Sequence, residues 1–265
     1  MLRISQLRKV FANGTGVEMT ALDNISLEVR TGDFITVIGS NGAGKSTLLN
    51  VIAGVYDVDE GEIWIDGVNV TNQPEYRRAH FIGRVFQDPM IGTAASMTIE
   101  ENLAMAMKRA SRLGLTPGVT PRDRSRFREL LAVLGLGLED RLQEPVGLLS
   151  GGQRQALTLL MATISNPKLL LLDEHTAALD PKTGEMIGEL TNKIVKSREL
   201  TVLMVTHDLR QALEFGNRTI MMDQGQIILD LQDPERASMT VDDLLDQFEA
   251  VRGKRLLDDR VLLVR

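Results

Sequence analysis

The chain has 265 residues, of which 43% are hydrophobic, with a formal charge of −6 and no cysteine. That length suits one α/β body carrying an inserted lobe better than two independent domains, since single α/β domains reach roughly 250 residues. The missing thiols exclude disulfides, thiolate metal sites and cysteine nucleophiles; the acidic balance speaks against an extended nucleic-acid surface; and no stretch reaches the roughly 18 to 20 apolar residues of a membrane span.

The first 30 residues carry polar and charged groups throughout instead of a secretory apolar segment. The chain therefore reads as intracellular, with any membrane role coming through a partner. Residues 21–29 alternate as a strand, and Gly32-Asp33 turns into the apolar run 34–38, which feeds directly into Gly39. Helix-compatible residues follow from Lys45 to Ile52, and 61–70 reads as a hairpin turning at Asp66-Gly67. Residues 98–111 predict a helix capped by Thr98, and a breaker-rich connection at 115–121 leads to a second helix over about 122–134. Residues of about 95–160 thus form a mainly helical lobe inserted in the α/β body. Leu169-Leu170-Leu171-Leu172 and the run 201–206 read as strands buried on both faces, and 219–222 with 226–229 as a closing strand pair. After Thr240 come one short acidic helix and a mixed tail.

Two glycine-rich loops stand out. Gly39-Ser40-Asn41-Gly42-Ala43-Gly44-Lys45-Ser46-Thr47 sits between a strand and a helix, the context of a phosphate-binding loop. Its glycines let successive amides face inward toward the positive end of the helix, Lys45 reaches the β and γ phosphates, and Ser46 offers a hydroxyl to Mg²⁺. Leu149-Ser150-Gly151-Gly152-Gln153 opens a second helix and has no lysine. It is either a weaker anion site or a plain helix-start turn. A Mg·nucleotide needs a strand-end carboxylate, which Asp173 supplies, and Glu174 is placed next in line to deprotonate a water. His207, after the strand 201–206, either contacts a γ phosphate or is a satisfied histidine at a helix start with Asp208 as cap. Gln87 either contacts a metal-bound water or is an ordinary surface glutamine.

In this order the segments resemble the ATP-binding subunit of an ABC transporter, over about residues 1–235. The resemblance implies an α/β P-loop NTPase core of ABC type, with an antiparallel β subdomain and an inserted helical subdomain. It assigns residues 1–249 to the ATP-binding domain and 250–265 to a short C-terminal tail. It also implies ATP and Mg²⁺ as cofactors, with Ser46, Gln87 and Asp173 toward the metal. Glu174 becomes the general base, His207 the γ-phosphate sensor, Gln87 the glutamine loop, Asp180 the D-loop residue, and Phe11 the aromatic that stacks on adenine. In such families two subunits pair head to tail, so Leu149 to Gln153 of one completes the phosphate-loop site of the other. The implied partners are thus a second ATP-binding subunit, transmembrane permease subunits received near Phe86-Gln87-Asp88-Pro89-Met90-Ile91 and the helical lobe, and, indirectly, an extracytoplasmic solute-binding protein; no nucleic acid is expected. The implied place is the cytoplasmic face of the membrane. Met90 and Ile91 suit either that contact or core packing. His175 stands where many members have proline, and its ring is expected to point away from the chemistry. The wording Gly83-Arg84-Val85-Phe86-Gln87-Asp88-Pro89 with Glu174-His175-Thr176 resembles a bacterial importer branch for tryptophan, tyrosine or related small solutes. Exporter or lipid-trafficking subunits use the same ATP chemistry, and a soluble ABC-type assembly ATPase is the alternative of a different class.

Overall fold

The protein, seen in a computed structural model, is described over residues 1–13, 17–109 and 117–252. In chain order its elements begin β1 (Leu2–Asn13), β2 (Val17–Val29), β3 (Phe34–Gly39), α1 (Lys45–Ala53), β4 (Glu60–Ile65), β5 (Val68–Asn69) and α2 (Glu75–Arg78). There follow β6 (Ile82–Val85), α3 (Ile99–Lys108), α4 (Pro121–Ala132), α5 (Gly151–Thr163), β7 (Leu169–Asp173) and α6 (Pro181–Arg198). The last are β8 (Thr201–Val205), α7 (Leu209–Glu214), β9 (Arg218–Asp223), β10 (Gln226–Gln232) and α8 (Val241–Arg252). These elements fall into two compact units, one from the described residues of Met1–Arg78 and Leu200–Arg265, the other from Ala79–Glu199.

The first unit contains an antiparallel sheet in the order β2-β1-β4-β5. Its inner face is lined by Leu2, Ile4, Leu7, Ile25, Leu27, Ile63 and Ile65, all nearly inaccessible to water. Strand β1 escapes a reading by simple alternation because it is bulged: the register shifts between Ile4 and Leu7, and Gln6 takes a φ of 48°. One extra residue moves the inward parity from even to odd numbers, so the apolar pattern looks broken although the strand is continuous. The same unit holds β3 between two parallel neighbours, β8 and β9, with β10 antiparallel on β9. Every residue of β3 and β8 is buried, the mark of strands covered on both faces. Ile38, Leu209, Ala212, Met221, Leu244 and Phe248 close a core that anchors α7 and α8.

The second unit pairs β6 with β7 in parallel, Ile82 opposite Leu169 and Val85 opposite Leu172. Leu169 to Leu172 are each 0% exposed, worth about 1.5–3 kcal/mol per side chain in apolar burial. The helices α3 and α4 both open with capping boxes, on Thr98 with Glu101 and on Thr120 with Asp123. The helix expected over 98–111 is described to Lys108, and residues 110 and 111 lie outside the described residues, as do most of the tail and part of the connection at 115–121. The long helix α6 is absent from the sequence reading, although Ile187, Leu190, Ile194 and Val195 recur at helical spacing on its buried face beside Gly184, Gly188 and Thr191. A start signal was nevertheless present: Asp180 caps the helix and Pro181 occupies its first turn.

Candidate functional site

The phosphate loop runs from the end of β3 into α1. Gly39 has a φ of 148°, and a Cβ there would lie 2.1 Å from the Met222 carbonyl oxygen on β9. Gly44, at φ 97°, would bring a Cβ to 2.5 Å from the Ala21 carbonyl oxygen. Only glycine fits where the loop is pressed so closely onto neighbouring backbone. The turn after β9 braces it further, as the Gly225 amide donates to the Ala43 carbonyl at 3.1 Å. Lys45 is 7% exposed, and its ammonium donates to the carbonyls of Gly39 at 2.7 Å and Ser40 at 3.0 Å. Ser40 is buried, its hydroxyl donating to Asp223 at 3.2 Å, whereas Asn41, Gly42 and Ser46 are exposed and Thr47 is half-buried.

The loop fits a triphosphate because of what α1 lacks. Helices α3, α4, α5, α6 and α7 each begin on a side-chain oxygen that accepts first-turn amides. At α1 the N-cap is Gly44, which has no side chain to accept, and no acidic residue stands in the first turn. The positive end of this helix is left to an external anion. No group of three or more His, Cys, Asp or Glu that could hold a metal occurs among the described residues. Mg²⁺ bound together with phosphate and water takes only one or two protein oxygens.

Also in the first unit, Phe11 on β1 meets Tyr56 edge to face at a centroid distance of 5.1 Å, and the Lys9 ammonium lies 5.4 Å from its ring centre. Burial pushes the Asp59 carboxyl up, but the bond from the Val10 amide and then that from Lys9 at 3.0 Å together bring it below its ordinary range. Tyr56 and Lys9 carried no sequence signal, since only folding brings them to Phe11. His207 is half-buried between β8 and α7, and Asp208 caps α7 by accepting from the amides of Arg210 at 2.8 Å and Gln211 at 3.3 Å.

In the second unit, Asp173 ends β7 beside Arg84 of β6, whose guanidinium stands 3.8 Å from the carboxylate and 4.5 Å from the Phe86 ring centre. Arg84 had no role in the sequence reading. Its pairing follows from the parallel register of β6 and β7, invisible along the chain. Glu174 adopts a φ of 45°, a left-handed conformation uncommon for a side chain of its size. His175 is 2% exposed, with Nε2 3.0 Å from the Thr191 hydroxyl, and burial pushes its imidazole down to about 4. The ring is thus neutral and turned into the fold, as expected for a residue outside the chemistry. Gln155 of α5 is also fully buried, its amide donating to the carbonyls of His175 at 2.6 Å and Phe86 at 3.2 Å.

Gln87 and Asp88 are exposed at the end of β6, and Met90 and Ile91 are 46% and 66% exposed, so core packing is not their use. Leu149 is buried, and Ser150 and Gly151 are exposed. Ser150 accepts from the Gln153 amide at 3.2 Å, and the Gln153 side chain returns the bond at 3.2 Å. The second glycine loop is therefore a capped helix start in the single chain, and the hydroxyl proton of Ser150 can still be donated outward. Gly152 packs on α6, where a Cβ would meet Thr183 at 2.4 Å. Asp180 is exposed and accepts from the Thr183 amide at 3.1 Å; its bonds from Thr183 hold its carboxyl below the usual range.

Residues 22–177 match the family model described as ABC transporter. The chain is 45% identical over 249 residues to the tyrosine transport ATP-binding protein of Clostridioides difficile, covering 94% of this chain and 99% of that one. It is 34% identical to the methionine import ATP-binding protein MetN of Bartonella henselae over 86% of its own length, but spans only 64% of that relative. Among solved structures it superposes on the ATP-binding cassette MJ0796, a dimer in a post-hydrolysis state bound to ADP and Pi, with a TM-score of 0.76 and 31% identity over 88% of this chain and 98% of the other. The cassette MJ1267 in its ADP conformation gives 0.77 at 28% identity, over 96% and 99%. The fold is thus the α/β P-loop NTPase fold with an antiparallel β subdomain and an inserted helical subdomain. The chain belongs to the ABC transporter family, as an ATP-binding subunit that hydrolyses ATP with Mg²⁺.

Proposed function

We propose that this subunit powers import of an aromatic amino acid or a related small solute through separate transmembrane subunits. The observation that carries the solute class is the 45% identity, nearly end to end, with a relative named for tyrosine transport. The ATP half of the reading draws support from the uncapped helix behind the glycine loop. Phe11 stacks on the adenine, residues Gly39 to Thr47 wrap the phosphates, and Lys45 neutralises the β and γ oxygens. Ser46, Asp173 and Gln87 act toward Mg²⁺ or its water shell, the metal supplying charge neutralisation at the transferring phosphoryl group. Glu174 accepts a proton from the attacking water, and His207 senses the γ phosphate.

Two copies pair head to tail in this reading, Ser150 to Gln153 of one closing on the nucleotide held by the other, with Asp180 at the seam. ATP binding closes the pair and hydrolysis releases it. The exposed Met90 and Ile91, with the helical lobe of about residues 95–160, receive the permease. No helix among the described residues is long and apolar enough to cross a membrane, so attachment to the cytoplasmic face runs through that contact, and the solute-binding protein acts at one remove. We take residues 1–249 as the ATP-binding domain and 250–265 as its tail.

Glu174→Gln is expected to keep ATP binding, lose hydrolysis and accumulate a closed dimer in size-exclusion chromatography with ATP. Undiminished hydrolysis would remove Glu174 as the base. Co-purification of the native chain with a multi-span membrane protein, and ATP-dependent tyrosine uptake by that complex, test import; a stable assembly without a membrane protein contradicts it.

A further inference from the structure

Glu174 occupies a left-handed backbone conformation, φ 45°, immediately after the strand that ends in Asp173. Such a conformation is uncommon for a glutamate, and here the Glu174 carbonyl accepts from the Ala177 amide at 2.9 Å. The residue that follows is held at both of its ends. On the side-chain side, His175 Nε2 lies 3.0 Å from the Thr191 hydroxyl, in a fully buried contact on α6. That hydroxyl also lies 2.7 Å from the Ile187 carbonyl, and the ring tautomer sets which partner donates in its bond to His175. On the backbone side, the His175 carbonyl accepts from Gln155 Nε2 at 2.6 Å, and the same nitrogen reaches the Phe86 carbonyl at 3.2 Å, one residue before Gln87.

We propose that His175 is a positioning residue for Glu174: its ring bond to Thr191 and its carbonyl bond from Gln155 lock the left-handed turn on which the glutamate is carried. The inference rests on the reading of Glu174 as the base. It gives the buried imidazole a task that packing alone does not explain, because an apolar ring would fill the same space without needing a hydroxyl partner. It also ties the turn to the Phe86 backbone, so that the Gln87 loop and Glu174 share one buried amide.

Two measurements on the full-length chain decide it. The chain has three histidines, and nitrogen-15 NMR of the labelled parent protein is expected to show a neutral His175 with its Nε2 hydrogen-bonded; an Nε2 without a hydrogen bond overturns the proposal without any variant having to fold. Thr191→Val and His175→Phe keep shape and remove the bond from either side. Each is expected to lower kcat for ATP hydrolysis by about 5- to 10-fold, the factor a buried hydrogen bond commands, with KM for ATP unchanged. The double variant is expected to be no worse than either single one, and Thr191→Ser to behave as the parent. A kcat within about twofold of the parent in folded Thr191→Val and His175→Phe overturns the proposal. Glu174→Gln is assayed beside them: if it still hydrolyses ATP the general-base reading has failed, whereas an inactive Glu174→Gln with fully active Thr191 and His175 variants defeats the positioning role alone.

Discussion

Replacing Lys45 with Met removes an ammonium that bonds to its own loop. The side chain is 7% exposed and donates to the Gly39 carbonyl at 2.7 Å and the Ser40 carbonyl at 3.0 Å. Hydrogen bonds to a charged group are worth about 1.5–3 kcal/mol each, so the pair contributes about 3–6 kcal/mol. That figure is already net of the water given up, and two bonds from one ammonium to adjacent carbonyls do not add in full, so Lys45→Met, which keeps the stem, is expected to lose about 1–3 kcal/mol. At about 2–4 °C per kcal/mol for a unit of this size, melting falls by about 2–12 °C. Scanning calorimetry in chelator without nucleotide, followed by an ATP·Mg²⁺ titration, measures both roles: the lower melting point, and the loss of the rise that ATP gives the parent. An unliganded melting point within about 1 °C of the parent refutes the reasoning. The carbonyl bonds would then carry no net free energy, and the lysine would act only on phosphate.

Gly39→Ala is expected to cost about 3 kcal/mol or more in urea unfolding and to abolish ATP binding, because the added methyl meets the Met222 carbonyl oxygen at 2.1 Å with φ at 148°; a stability equal to the parent contradicts that packing. Glu100, 4% exposed, receives two bonds from Arg124 at 2.8 and 2.9 Å, and these hold its carboxyl below its ordinary 4.5. The unfolded chain then binds the proton more tightly than the folded one. This contribution is full above about pH 4.5 and is lost as pH falls through the folded value. Arg124→Gln is accordingly expected to lower the urea midpoint by a constant amount at neutral pH, and the gap to close in acid; a gap independent of pH excludes the ion pair as its cause.

The sequence alone determined the parts whose chemistry is local. A glycine loop between an apolar strand and a helix, a leucine run ending in Asp173-Glu174, and Thr98 or Ser150 opening a helix are each decided by neighbours within a few residues, and each element stands where periodicity and caps put it. Strand β1 is illegible to simple alternation because a bulge reverses its parity, whereas helix α6 does carry a helical period in Ile187, Leu190, Ile194 and Val195. Tertiary structure alone decided the contacts made by register and packing. Asp173 meets Arg84 because β6 lies parallel to β7. Tyr56 reaches Phe11 across about 45 residues of chain, and one buried amide, Gln155, joins the backbones of Phe86 and His175. A side chain's type is written in the chain, but the partner that satisfies it once water is excluded is chosen only when distant segments are brought together.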